Sequence, residues 1–257
     1  MAKKSKLEAF GRLLDIMDDL RAGCPWDRKQ TMESLRNLTI EETYELADAI
    51  LEEDLQGVKE ELGDLLLHMV FYAKIGDEKS AFDIEDVLHA VCDKLIERHP
   101  HIYGDLDVSD EEEVKQNWEK LKLKSGKKSV LSGVPNSLPS LVKAQRLQDK
   151  TAQVGFEWDE THQVYEKVKE ELAELQEAIE SGQQKEIEAE YGDVLFALVN
   201  YGRFLKVEPE TALEKINKKF KKRFEYIETH ATKPLEEMTL EEMDVLWGEA
   251  KAGEVHK

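Results

Sequence analysis

Apolar residues recur along most of this chain at spacings of three and four, the period of a helix rather than a strand. In "ELGDLLLHMVFYAK", residues 61–74, the positions Leu62, Leu65, Leu66, Leu67, Met69, Val70 and Phe71 surround the helix axis. Glu61, Asp64 and His68 form a single polar stripe among them at i, i+3 and i+7, so the pattern predicts a helix buried on most sides. The same reading predicts helices over about 5–21, 39–52, 57–76, 83–98 and 110–124, and the second half follows the same order. Short turns at 53–56 and 181–184 make the flanking helices antiparallel neighbours.

A search for self-similarity shows that the chain is written twice. Shifting the first half by 129 sets Glu41, Glu42, Glu45, Glu61, Gly63 and Asp64 on Glu170, Glu171, Glu174, Glu190, Gly192 and Asp193 without a gap. The match runs on into "GDLLLHMVFYAK" against "GDVLFALVNYGR". Upstream, "GCPWD" at 23–27 resembles "GFEWD" at 155–159; downstream, "CDKLIER" at 92–98 lies opposite "NKKFKKR" at 217–223, pairing Lys94 with Lys219 and Arg98 with Arg223. "EEVKQNW" and "EEMDVLW" align Trp118 with Trp247. Two helical domains are therefore expected, 1–123 and 141–257, joined by "KSGKKSVLSGVPNSLPS" at 124–140, whose Ser, Gly, Pro and Lys suit an exposed connection.

Composition agrees with an all-α fold built of two tandem helical repeats: 36% of the 257 residues are charged, and Gly and Pro number only 14 and 6. With 36 Lys and Arg against 56 Asp and Glu the net charge is −20, which repels nucleic acid and anionic membranes. Cys24 and Cys92 stand alone, without CxxC or zinc spacing, as in a reduced cytoplasmic protein. The N-terminus lacks the apolar core of a signal peptide, and no apolar run approaches the ~20 residues of a membrane span. Cytoplasm is the expected location.

The repeated carboxylates are the candidate chemistry. Glu41, Glu42 and Glu45 point to one broad helix face, where like charges cost an isolated helix a few tenths of a kcal/mol per pair. A solvated acidic face is the plain alternative; so are capping roles, Thr39 with Glu42 as a capping box and Asp64 as an N-cap. Capping needs only one carboxylate, whereas both copies carry the same four at the same register. Facing across an antiparallel pair, Glu42, Glu45, Glu61 and Asp64, and likewise Glu171, Glu174, Glu190 and Asp193, suit a hard divalent cation, magnesium or manganese. His68 has Ala197 as its counterpart and is read as a packing or outer-shell residue; His99 and His101 have no counterparts.

A cation among carboxylates commonly meets phosphate, which also calls for basic side chains. Lys219 and Arg223 share a helix face within "NKKFKKRF", and Lys94 with Arg98 repeats the pair, although a basic helix end balancing the macrodipole explains both as well. Trp118 and Trp247 could stack a base or simply pack.

The acidic pattern, "CPWD", "KLIERHPHIYGD" and the tandem arrangement together resemble the MazG family of nucleoside triphosphate pyrophosphohydrolases over essentially the whole chain. The resemblance implies an all-helical fold completed by homodimerisation, magnesium dependence, and hydrolysis of nucleoside triphosphates to monophosphate and pyrophosphate. Carried over, Glu171, Glu174, Glu190 and Asp193 would hold metal, as would Glu42, Glu45, Glu61 and Asp64 in the first copy; Lys219 and Arg223 would hold phosphates and Trp247 would contact the nucleotide. Glu170 or Glu171 would orient the attacking water as base. In the family the C-terminal unit is the better established catalyst, and here Lys167 precedes Glu171 by one turn where the first copy has Leu38 before Glu42. Lys167 is thus a substrate-binding candidate that the first copy lacks.

Two other classes compete. A carboxylate-bridged di-iron bundle wants Glu-x-x-His, and none of the seven histidines has Glu three positions before it. A non-catalytic acidic scaffold needs only solvated charge, and would show no affinity for divalent cations.

Overall fold

The structure is a computed structural model that describes residues 2–108, 113–114 and 129–254. Among the described residues it is helical throughout, with no strand, in agreement with the all-α expectation. The chain divides into two compact units, Met1–Asp110 and Glu111–Lys257. The helix expected at 110–124 and Trp118 fall almost wholly or entirely outside the described residues. Of the 124–140 connection, 129–139 carries turns and irregular backbone before a helix begins at Ser140.

The first unit contains α1 (Ala2–Gly23), a 3-10 turn (Asp27–Lys29), α2 (Met32–Leu51), α3 (Leu55–Glu78), α4 (Ile84–Arg98) and the short α5 (Pro100–Tyr103). The helix starts explain where the sequence reading went astray. Thr31, not Thr39, caps α2, sharing reciprocal hydrogen bonds with Ser34. Thr39 lies inside the helix, where its hydroxyl donates to the Leu35 carbonyl and meets the Tyr72 hydroxyl at 2.8 Å. Its three-residue spacing to Glu42 imitates a capping box without being one. Asp54 caps α3, so Asp64 is a mid-helix residue and the N-cap alternative is excluded.

Met17, Leu35, Val70, Phe71 and Ile75 form the core of this unit, drawing α1, α2 and α3 together. Removing such side chains from water contributes roughly 1.5–3 kcal/mol each. The expectation that α3 is buried on most sides is corrected, because Leu62, Leu66 and Met69 remain 54%, 43% and 45% exposed and Asp64 is exposed too. One face of α3 packs within the unit, and the other is apolar but uncovered.

The second unit contains α6 (Ser140–Ala152), α7 (Thr161–Ser181), α8 (Gln184–Phe204), α9 (Pro209–His230), a 3-10 turn (Leu235–Glu237) and α10 (Leu240–Glu254). Gly182 ends α7 in the left-handed region at φ 70°, which lets the chain reverse directly into α8. Pro209 at the first turn of α9 fits because its missing N–H is one the helix would leave unpaired, and Glu208 caps the following amides. Val164, Val168 and Ala178 of α7 are buried, as are Val194, Ala197 and Val199 of α8.

Candidate active site

Helix reversal brings the repeated carboxylates face to face in both units. Carboxylate oxygens of Glu42, Glu45 and Glu61 lie within 4.8 Å of one another, and so do those of Glu171, Glu174 and Glu190. These are the two groups of potential metal-ligating side chains that come together among the described residues, and both consist of glutamate alone. No histidine joins them. His99 and His101 instead sit ring against ring at 5.6 Å, with His99 Nδ1 2.6 Å from the Leu95 carbonyl. Asp64 and Asp193 stand outside the tight groups, but Asp64 acts on Glu42 through its charge and Asp193 lines a cavity together with Glu171.

The electrostatics of the two clusters differ. Burial, then a hydrogen bond with Glu61 and the charges of Asp64, Glu45 and Glu61, push Glu42 above the usual carboxylate range. Glu61 Oε2 is buried without a hydrogen-bond partner among the described residues. In the second unit a cation is already present: Lys167 Nζ lies 2.7 Å from Glu170 Oε1 and 2.8 Å from Glu171 Oε1. These hydrogen bonds hold the lysine above its ordinary value, while Glu174 is raised by burial and by the Glu171 charge and lowered by Lys167. Glu171 is only 8% exposed, so Lys167 offsets charge on a carboxylate that has little access to water.

A cavity of about 660 Å³ opens beside this second cluster. Lys167, Glu171 and Asp193 give it an ionic part; Leu147, Phe156, Trp158 and Phe196 give it apolar and aromatic walls; Gln148, Asn200 and Arg203 add polar groups. Arg203 pairs with Glu157, approaches Asp149 at 4.0 Å, and donates to Asn200 Oδ1 at 2.9 Å. At the shift of 129, the first unit has Leu38, Leu67, His68 and Phe71 where the second has Lys167, Phe196, Ala197 and Asn200. Phe71 belongs to the first unit's core, Leu38 and Leu67 pack against it, and His68 is buried with Nδ1 unpartnered among the described residues. Burial lowers the His68 pKa, partly countered by Asp64. Side chains thus fill in one copy what is hollow in the other.

The remaining predicted residues separate from this constellation. Lys219, Arg223 and Trp247 do not line the cavity. Arg223 lies over the Trp247 ring at 5.4 Å, Phe220 packs on the same ring at 5.1 Å, and Lys219 is exposed on α9. Sequence reasoning passed over Gln148, Asn200 and Arg203. Asn200 and Arg203 left a signal, as the counterparts of Phe71 and Lys74 in the matched tails, while Phe156 and Trp158 served merely as markers of the repeat.

Fold and site define a tandem all-helical protein whose repeated unit is an acidic helical hairpin, one copy opening on a cavity of about 660 Å³. Residues 30–103 and 160–228 match the MazG nucleotide pyrophosphohydrolase domain, and the chain belongs to that family. It is 48% identical to the nucleoside triphosphate pyrophosphohydrolase/pyrophosphatase MazG of Thermotoga maritima, over 95% of this chain and 96% of that one. It is 41% identical to a nucleoside triphosphate pyrophosphohydrolase of Escherichia coli K12, over 97% of this chain and 99% of the relative. A crystal structure of a mazG-related protein from Thermotoga maritima aligns with 44% of this chain and 98% of its own, at 29% identity and a TM-score of 0.40.

Proposed function

We propose that this chain is a magnesium-dependent nucleoside triphosphate pyrophosphohydrolase, releasing monophosphate and pyrophosphate, with Glu111–Lys257 as its principal catalytic unit. Manganese would serve in place of magnesium. The observation that carries the reading is a cavity bounded by Lys167, Glu171 and Asp193 together with aromatic walls, which, with a cation held by the carboxylates, would suit a ligand that is anionic at one end and flat and apolar at the other. The names of the relatives support the same reaction.

The residues present fit a hard cation, since the donors are all carboxylate oxygens, lie within reach of one ion, and include Glu61 Oε2 as a buried atom lacking a partner among the described residues. Glu171, Glu174, Glu190 and Asp193 would hold it in the second unit, and Glu42, Glu45, Glu61 and Asp64 in the first. Bound there, the cation supplies positive charge against the triphosphate and the departing pyrophosphate. Lys167, already turned to the cluster, adds a fixed positive charge for the phosphates. Of the two candidate bases, Glu170 stands outside the three-carboxylate group, which favours it over Glu171 as acceptor of the water's proton. Lys219 and Arg223 as phosphate holders, and Trp247 as a nucleotide contact, rest on the family resemblance. Because they stand outside the cavity lining, they need a shift of α9 or a second copy of the chain to reach the same ligand.

Phosphorus NMR of a nucleoside triphosphate pool tests the reaction. Monophosphate and pyrophosphate should appear only with magnesium, and diphosphate plus orthophosphate would refute the reading. Glu174→Ala and Asp193→Ala should each lose more than the roughly 10–100-fold typical of outer-shell changes, with helical circular dichroism intact. Glu45→Ala should lose less than Glu174→Ala.

A further inference from the structure

The amides in the cavity wall have orientations fixed by their neighbours. Gln148 on α6 is only 6% exposed, and its Nε2 lies 2.9 Å from the main-chain carbonyl of Phe196. A carbonyl only accepts, so the NH₂ end must face it and Oε1 must be the other end. That oxygen is buried and has no hydrogen-bond partner among the described residues, a costly condition for an acceptor. Asn200 shows the opposite polarity. Its Oδ1 accepts from Arg203 Nη2 at 2.9 Å, and a guanidinium only donates, so the Asn200 amide presents Nδ2 as its second end.

These groups occupy a definite stretch of the cavity. At 1.5 Å per residue, α8 runs about 15 Å from Asp193 to Arg203, with Phe196 about one turn and Asn200 about two turns beyond the carboxylate. Phe156 and Trp158 line the same cavity at 80% and 45% exposure. An acceptor, a donor and aromatic walls beyond an ionic end complement a flat heteroaromatic ring that carries an N–H beside a ring lone pair.

We propose that this stretch is the base subsite of the pyrophosphohydrolase site, with Gln148 as a specificity-determining residue whose Oε1 accepts an N–H from the nucleobase. Asn200 Nδ2 donates to the neighbouring ring acceptor. The inference rests on the reading that a nucleoside triphosphate enters the cavity. Oε1 is shut off from solvent, so the amide must turn slightly as the base arrives, and a ring lacking the N–H leaves the acceptor unpaired. Each standard base offers a donor beside an acceptor on its pairing edge, adenine and cytosine through their exocyclic amines. The subsite therefore distinguishes rings with the donor from rings without it.

The test uses the full chain and two substrate pairs: ATP with purine riboside triphosphate, and CTP with 2-pyrimidinone riboside triphosphate, the second of each pair lacking the amine. Wild type should show kcat/KM about tenfold lower for the amine-free member, carried by KM. Gln148→Leu should lose about tenfold with ATP and CTP yet lose nothing more with the analogues, so that the preference disappears. Should Gln148→Leu not fold, Gln148→Met takes its place, and the wild-type comparison decides independently. An active wild type indifferent to the amine, or a Gln148→Leu protein that keeps the preference, overturns the subsite alone. A wild type that releases no pyrophosphate from any triphosphate overturns the reaction and the subsite with it.

Discussion

Glu42 stands among three other carboxylates on a partly buried helix face, and its ionisation is opposed by burial first and by Glu61, Asp64 and Glu45 after that. A carboxylate raised above its ordinary 4.5 favours the folded state when protonated, so that contribution is fully present below pH 4.5 and lost as pH rises through the raised value. Glu78 has the opposite sign, because its hydrogen bond with Arg21 lowers it; its contribution is present above the ordinary value and lost as pH falls through the lowered one. In chelator, Glu42→Gln should therefore stabilise the protein at pH 7 by about 0.2–0.5 kcal/mol and do little at pH 4. Urea melts at the two pH values check this, and an equal effect at both would refute it.

At the scale of the helix, close approaches are set by glycine. An added Cβ on Gly76 of α3 would meet the Phe82 carbonyl at 2.7 Å and its ring at 2.8 Å, closing the space through which the chain passes to α4. Gly76→Ala should cost about 1–3 kcal/mol in thermal or urea unfolding. Gly63→Ala and Gly192→Ala, by contrast, meet nothing within 4 Å in the single chain and should gain about 0.5–1 kcal/mol as helix formers. The duplicated register of Glu42, Glu45 and Glu61 with Glu171, Glu174 and Glu190 made the acidic hairpins legible before any coordinates, because a one-residue slip would scatter a helix face. The start of α2 was not legible, since Thr39 and Glu42 fit the Ser/Thr-x-x-Glu signature of a capping box, whereas the true cap pairs Thr31 with Ser34, which lies outside it. Burial of α3 was overstated because periodicity marks which positions are apolar, not which are covered. Gln148 was invisible for a different reason: it joins the cavity wall from α6, far in sequence from α8, and no period links the two.

Across the whole molecule, α3 and α8 leave the same positions uncovered. Leu62, Leu66 and Met69 are exposed in one unit, and their counterparts Tyr191, Leu195 and Leu198 in the other, between 41% and 57% throughout. Rows of apolar side chains in a protein of net charge −20 are what the homodimer implied by the family resemblance would cover. Light scattering should find a dimer, and Leu66→Glu with Leu195→Glu should convert it to monomer without loss of helix; a monomeric wild type would refute the pairing. No helix of the described residues is long and apolar enough to cross a membrane.

The contrast between the filled interior of the first unit and the hollow one of the second has a further consequence. Leu67–Lys74 and Phe196–Arg203 are the same helical segment by register, one packed on its own core and the other lining open space. In amide hydrogen exchange the first segment serves as a clock built into every molecule, sharing its solvent, temperature and concentration with the second. A ligand that slows exchange along Phe196–Arg203 while Leu67–Lys74 keeps its pace has entered the cavity; one that slows both has acted on the first unit as well, where Glu42, Glu45 and Glu61 come together.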